Sequence, residues 1–256
     1  MPLNRRQFLN LAAGGAATSL FVDQSGRAAT PAAIRAIAFD AFTIFDARPI
    51  TSLAEEFFPG RATELSNLWR TRQFEYTWLR TLYGRYADFW QVTQDALEFA
   101  AKMLKLELTD EIRERLMNSY LELKPFPDVL PALQALKDAG LRLAFLANLT
   151  PQMLDAATKS SKLEGIFEYN LSTDAVKVYK PDARAYQMAI DAFKLPREEI
   201  VFAAFGGWDA AGAKNFGYPT FWVNRLNLPV EQLDVVPDGI GGSLTALVDF
   251  VKAVKS

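Results

Sequence analysis

The sequence predicts an α/β protein, a doubly wound parallel sheet with a helical cap inserted after its first strand. Two observations carry this prediction. Short apolar runs that end in polar residues alternate with amphipathic helical stretches, as strand–helix–strand crossovers require. One stretch, from about residue 50 to 123, breaks the alternation with helical periodicity and no convincing strand. A chain of 256 residues, half of them hydrophobic, is enough for one large α/β domain with such an insert.

Before the fold comes a different kind of segment. Asn4-Arg5-Arg6-Gln7-Phe8-Leu9 leads into a short Ala/Gly-rich apolar run. A twin arginine followed by such a run is the layout of a twin-arginine export signal. Gly26, Ala28 and Ala29 offer a cleavage site. The run is too short and too weakly apolar to span a bilayer. Residues 1–29 are therefore expected to be removed on export to the periplasm, leaving no membrane attachment. The plainer alternative is a basic, frayed terminus. The remaining chain divides into a core from 30–49 and 124–256 and a helical cap from 50–123.

The first strand, Ile34–Phe39, is an apolar run ending in Asp40, as in a buried parallel strand. Further strands are expected at 141–147, 167–172, 200–205 and 219–223. In the cap, helical periodicity covers 62–81, 87–105 and 110–123. Asp128 is placed to cap a helix that Gly140 stops. Helices over 151–159, 182–193 and 208–216 fill the other crossovers. Ser243 caps a last helix with Leu244, Leu247, Val248 and Val251 on one stripe. This is the pattern of a Rossmann-like core.

Composition removes whole classes of chemistry. There is no His and no Cys, which excludes Ser-His and Cys-His nucleophiles, imidazole and thiolate metal sites, and disulfides. A net charge of −2 does not suit a nucleic-acid binder. Without residues 1–29 there remain 25 basic and 29 acidic side chains, a charge of −4. The remaining reactive groups are carboxylates, Lys, Arg, Tyr and hydroxyls.

In a parallel sheet these groups act from the carboxyl ends of strands. Asp40 and Thr43 follow the first strand, Asn148 and Thr150 the second, Lys180 the third and Asp209 the fourth. Singly, each has a bland reading: an Asp there is often a helix cap, and Lys180-Pro181-Asp182 could be a surface turn. Together, two Asp and a Lys converging on one crevice would give a carboxylate kept ionised by an ammonium, which suits nucleophilic catalysis.

Phe39-Asp40-Ala41-Phe42-Thr43-Ile44-Phe45-Asp46 resembles the first motif of the haloacid dehalogenase superfamily. Tyr179-Lys180-Pro181-Asp182 is similar to its third motif and Gly207-Trp208-Asp209-Ala210-Ala211-Gly212 to its fourth. Residues 68–80, 84–89 and 221–225 resemble the L-2-haloacid dehalogenase branch. The resemblance implies that Asp40 is the nucleophile, displacing halide from Cα of a short 2-halo carboxylic acid to form an aspartyl ester. Arg70 would guide the carboxylate and receive the halide. Lys180 would hold Asp40 ionised, and Asp209 would position or activate water. Phe42, Thr43, Asn148 and Tyr186 would join Phe74, Phe89 and Trp208 around the substrate; for these last three, core packing is the equal alternative. The resemblance also implies a homodimer and no cofactor. Phosphatases of the superfamily need a second Asp two residues after the nucleophile for magnesium, and here that place is Phe42.

The chain departs from the pattern. The first motif lacks a Gly before Thr43, so its loop is one residue shorter. Ala147, Ala204 and Gly206 stand where the family has Ser, Ser and Asn. Each lost hydrogen bond to a charged group would cost about 1.5–3 kcal/mol if unreplaced. Backbone amides of these loops or Thr150 are candidate replacements. Another small-acid hydrolase activity, or a noncatalytic binding protein on the same framework, are the competing expectations.

Overall fold

A computed structural model describes residues 33–255; the expected export signal at 1–29 lies outside the described residues. The chain enters the central strand β1 (Ala36–Phe39), makes a single turn α1 (Ala41–Ile44), and leaves through a two-residue strand β2 (Phe45–Asp46). Four helices follow: α2 (Arg48–Phe57), α3 (Ala62–Tyr83), α4 (Phe89–Met103) and α5 (Asp110–Asn118). The chain returns through β3 (Lys124–Pro125), antiparallel to β2. It then alternates: α6 (Val129–Asp138), β4 (Arg142–Ala147), α7 (Pro151–Ser160), β5 (Tyr169–Ser172), α8 (Ala183–Phe193), β6 (Ile200–Ala204), α9 (Gly207–Phe216), β7 (Thr220–Val223), β8 (Gly239–Gly241) and α10 (Leu244–Lys255).

The predicted fold class is the observed one. Six parallel strands run in the order β5-β4-β1-β6-β7-β8. Period-2 alternation sends the two sets of strand side chains to opposite faces. Ile37, Phe39, Phe145 and Val201 cluster with apolar residues of α6, α7 and α10. Ala36, Ala144, Phe202 and Trp222 cluster with α8 and α9. Winding on both faces explains why the strands read as continuous apolar runs. Because the chain fills the sheet outward from β1 in both directions, the carboxyl ends of β1, β4 and β6 meet at its centre.

Several expectations need correction. Neither β8 nor the β2–β3 ribbon is predicted from the sequence pattern. β8 is Gly-Ile-Gly, with no apolar run to mark it. Its glycines are dictated by packing: a Cβ on Gly241 would stand 2.6 Å from Ala246 Cβ, and one on Gly239 2.7 Å from Phe221 and Phe250. α2 is likewise unpredicted, although Pro49 at its first turn is a helix-start signal. Asp128 does not cap its own helix. Its backbone is already helical (φ −81°, ψ −7°), and its carboxylate instead accepts from Arg225 and from the Leu244 amide at 2.6 Å. That amide opens α10, so Asp128 caps the last helix jointly with Ser243, whose Oγ accepts from Ala246.

The helices between β2 and β3 are fastened to the sheet by a polar-aromatic seam. Tyr179 stacks on Tyr86 at 5.2 Å, and its hydroxyl donates to the Ala87 carbonyl at 2.6 Å. Its amide donates to Thr81 Oγ1 at 3.0 Å. The described residues 33–255 form one compact unit.

Phe145 is fully buried at the middle of β4, 3.9 Å from Phe167 and 5.6 Å from Phe45 between ring centroids. Phe145→Ala removes a large core side chain, so urea unfolding should show stability lower by about 3–5 kcal/mol.

Candidate active site

Lys180 carries the geometry of the site. It is fully buried, and its Nζ lies 2.6 Å from Asp40 Oδ2 and 2.7 Å from Asp209 Oδ2. Its ammonium also sits 5.0 Å from the Phe202 ring centroid. Burial pulls the lysine pKa down, but the charges and hydrogen bonds of Asp209 and Asp40 outweigh it and hold the pKa above its ordinary value. Lys180 is thus a cation fixed between two carboxylates, not part of a surface turn.

Both readings of Asp40 apply at once. Its Oδ1 accepts from the Phe42 amide at 2.8 Å and so caps α1, while Oδ2 faces Lys180. Asp209 lies deeper, 1% exposed, with Tyr186 Oη 2.7 Å from its Oδ1. Burial raises its pKa above the ordinary carboxylate range, with Asp40 adding to the rise and Lys180 opposing it.

Above these groups lies a cavity of about 320 Å³. Asp40, Asn148 and Asp209 contribute to its floor with Ala147, Phe205 and Gly206; Phe42, Phe74, Trp208 and Arg70 contribute to its walls. Arg70, from the middle of α3, makes no side-chain hydrogen bond or ion pair with any described residue, so its guanidinium is free to receive an anion. Phe74, Trp78 and Trp208 gather around one edge, with Trp208 5.3 Å from each of the other two.

Three expected substrate contacts do not line this cavity. Thr43 is fully buried and donates to the Asp40 carbonyl at 2.7 Å; in the shortened loop its hydroxyl braces the backbone. Tyr186 reaches the site only through Asp209. Phe89 is buried 6.2 Å from the Tyr179 ring, inside the seam that fastens the helices. Asn148 does line it, and its Oδ1 accepts from the Lys180 amide at 3.2 Å and from Thr173 at 3.4 Å.

The departures from the family pattern acquire a physical account. Thr150 is spent capping α7, accepting from Met153 at 3.1 Å, and replaces nothing. At Gly206 a Cβ would stand 2.7 Å from Trp208 Nε1, so the indole fills the space a side chain would need. No side chain caps α9, and its first residues, Gly207 and Trp208, line the cavity. Sequence reasoning misses Trp78 and Arg225 as wall residues. Arg225 sits over the Phe126 ring at 3.8 Å and donates to the Thr43 carbonyl at 2.9 Å and to Asp128. Its presence in the motif-like stretch 221–225 is the available signal. Among the described residues, no three acidic side chains are grouped to hold a metal ion.

The sequence profile of haloacid dehalogenase-like hydrolases matches residues 30–217. An (S)-2-haloacid dehalogenase of Pseudomonas sp. (strain YL) is 45% identical over 218 residues, covering 85% of this chain and 94% of that protein. A crystal structure of an L-2-haloacid dehalogenase superposes with a TM-score of 0.85 at 44% identity, covering 86% and 99% of the two chains. The L-2-haloacid dehalogenase of Xanthobacter autotrophicus, solved with chloropropionic acid covalently bound, does so with a TM-score of 0.80 at 32% identity, covering 86% and 98%. The chain belongs to the haloacid dehalogenase-like hydrolases.

Proposed function

We propose that this protein hydrolyses the carbon–halogen bond of short (S)-2-halo carboxylic acids through an aspartyl ester. The observation that carries this is the buried Asp40–Lys180–Asp209 chain beneath an apolar cavity with a free arginine on its wall. The 45% identity to an (S)-2-haloacid dehalogenase and the covalent chloropropionic acid in a relative support it. The helices from residue 50 to 123 act as the cap over a core of 30–49 and 124–256.

The chemistry follows from the site. Arg70 takes the substrate carboxylate, and the aromatic walls keep bulk water from the reacting carbon. Asp40, with its two oxygens held by the Phe42 amide and Lys180, attacks Cα; the carbon–halogen bond breaks, and the halide leaves with its electron pair. Attack from the side opposite the halogen inverts Cα. Water then attacks the ester carbonyl, positioned by Asp209, whose raised pKa makes its ionised form a stronger base than an ordinary aspartate. This second step leaves Cα untouched, so the product is the (R)-2-hydroxy acid. The developing negative charge on the carbonyl oxygen falls near the uncapped first turn of α9, which offers amides where the family has Ser and Asn side chains. The loss of polar side chains at Ala147, Ala204 and Gly206 favours a second reading, hydrolysis of a different small acid on the same framework. Halide release separates the two.

A single turnover in heavy-oxygen water should label Asp40, while the first product carries ordinary oxygen; label appearing directly in the product would remove Asp40 as nucleophile. Asp40→Asn should be inactive but folded. Lys180→Ala leaves two buried carboxylates without their counter-charge, and should be inactive and about 3–5 kcal/mol less stable. Phe42 stands where a magnesium ligand would be needed, so halide release is expected to survive EDTA and phosphate-ester turnover to be negligible.

We propose further that the protein is exported by the twin-arginine route to the periplasm and works there as a homodimer, readings supported by Arg5-Arg6 with the run that follows and by the family resemblance. Changing Arg5 and Arg6 to Lys should hold the protein in the cytoplasm. Unchanged export would refute this, and light scattering on the mature protein should give twice the chain mass.

A further inference from the structure

Six charged side chains line the cavity above Asp40, and four of them are already paired. Asp40 and Asp209 share Lys180. Glu75 is bound by Arg72 at 2.7 Å, and Arg225 is bound to Asp128 at 3.0 Å. The other two, Arg70 and Glu231, make no side-chain hydrogen bond or ion pair with any described residue. We propose that this cavity takes a zwitterion, a 2-halo acid whose carboxylate Arg70 holds and whose tail carries an ammonium group held by Glu231 and the aromatic edge. The proposal rests on the dehalogenase reading and names the substrate class of that same site.

The order of residues along α3 sets the geometry. Arg70, Phe74 and Trp78 are spaced by four and so share one face of the helix. At 1.5 Å per residue the stripe runs about 12 Å, from the free guanidinium to the indole. Trp208 leans on it from α9, 5.3 Å from each of the two aromatic rings. Glu231 approaches from the loop after β7. Its Oε1 is 3.0 Å from the point where a Cβ on Gly207 would stand, next in the chain to Trp208.

Aromatic faces beside a carboxylate are the chemistry that holds an ammonium group. An uncharged tail would meet the rings but leave the carboxylate unanswered, and an anionic tail would be repelled by it. Glu231 is exposed, so its charge stays hydrated until a cation arrives. The space also exceeds what a small acid fills. Each water takes roughly 10–15 Å³ of such space, so a three-carbon acid would leave most of the 320 Å³ wet.

Paired substrates isolate the charge. (S)-2-Chloro-4-(trimethylammonio)butanoate and (S)-2-chloro-5,5-dimethylhexanoate have the same shape and differ by one positive charge. Halide release should give a kcat/KM about tenfold or more higher for the cationic acid, and the ratio should fall as salt screens the contact. Glu231→Gln should lower that ratio about fivefold or more, and Trp78→Leu should lower it as well. Equal kcat/KM for the two acids, or a ratio that Glu231→Gln leaves unchanged, would overturn the proposal and leave the dehalogenase reading standing. Calorimetry with the unhalogenated pair, 4-(trimethylammonio)butanoate and 5,5-dimethylhexanoate, tests the subsite without turnover. Tighter binding of the cationic acid, lost in Glu231→Gln, in a protein that releases no halide would sustain the subsite and refute the dehalogenase reading. Equal binding of the two would refute the subsite.

Discussion

One ammonium group organises this molecule. Lys180 is fully buried with two carboxylates within 2.7 Å, and a charge in that position is tolerable only while both partners stay in place. The lysine comes from the loop after β5, Asp40 from the end of β1 and Asp209 from the first turn of α9. The strand order, with β1 central and β4 and β6 on either side, is what lets 140 residues of chain separate Asp40 from Lys180 and still bring them together. A buried ion pair contributes little net stability compared with apolar packing of the same volume. The return on this arrangement is chemical: a carboxylate oriented toward the cavity beside an ammonium, and a second carboxylate whose pKa burial has raised.

The neighbours of the three charges divide the work of holding them. The Phe42 amide and Lys180 fix the two oxygens of Asp40 separately, which leaves the carboxylate little freedom to rotate. Thr43 and Arg225 continue outward from there, since the Thr43 hydroxyl braces the Asp40 carbonyl and Arg225 braces the Thr43 carbonyl. Asp128 joins Arg225 to the start of α10. The shortened loop after β1 is thereby tied to the starts of α6 and α10, whose apolar residues share its core cluster. On the Asp209 side, Tyr186 supplies the hydrogen bond, itself packed 5.4 Å from Phe202 in the sheet.

The aromatic edge shows how the loss of polar side chains is accommodated. Trp208 packs between Phe74 and Trp78 of α3 and spreads its indole over Gly206. A side chain at 206 and this position of the indole exclude one another on contact distance alone. The result is a more apolar wall and an α9 whose first turn no side chain caps. The cavity keeps its charged floor and its free arginine while its neutral surroundings change.

The sequence determined the fold class and the reactive groups. The apolar runs of β1, β4 and β6 are visible because strands buried on both faces have no polar alternation, and Asp40, Lys180 and Asp209 are legible because each follows such a run or its crossover. Absence of His and Cys narrows the chemistry by composition alone. What sequence could not reveal was spatial. Phe74 and Phe89 look equivalent as aromatics on helices of one insert, yet one walls the cavity and the other fills a seam, because the rotation of α3 and α4 against the sheet decides which faces the crevice. Asp128 reads as a cap for the helix it precedes and serves one more than a hundred residues later, because its backbone is already helical and another amide comes within 2.6 Å. β8 exists only as hydrogen bonding to β7, and three residues carry no period from which to read it. Local pattern encodes which side chains are buried; which partner each one meets is decided by packing between segments distant in the chain.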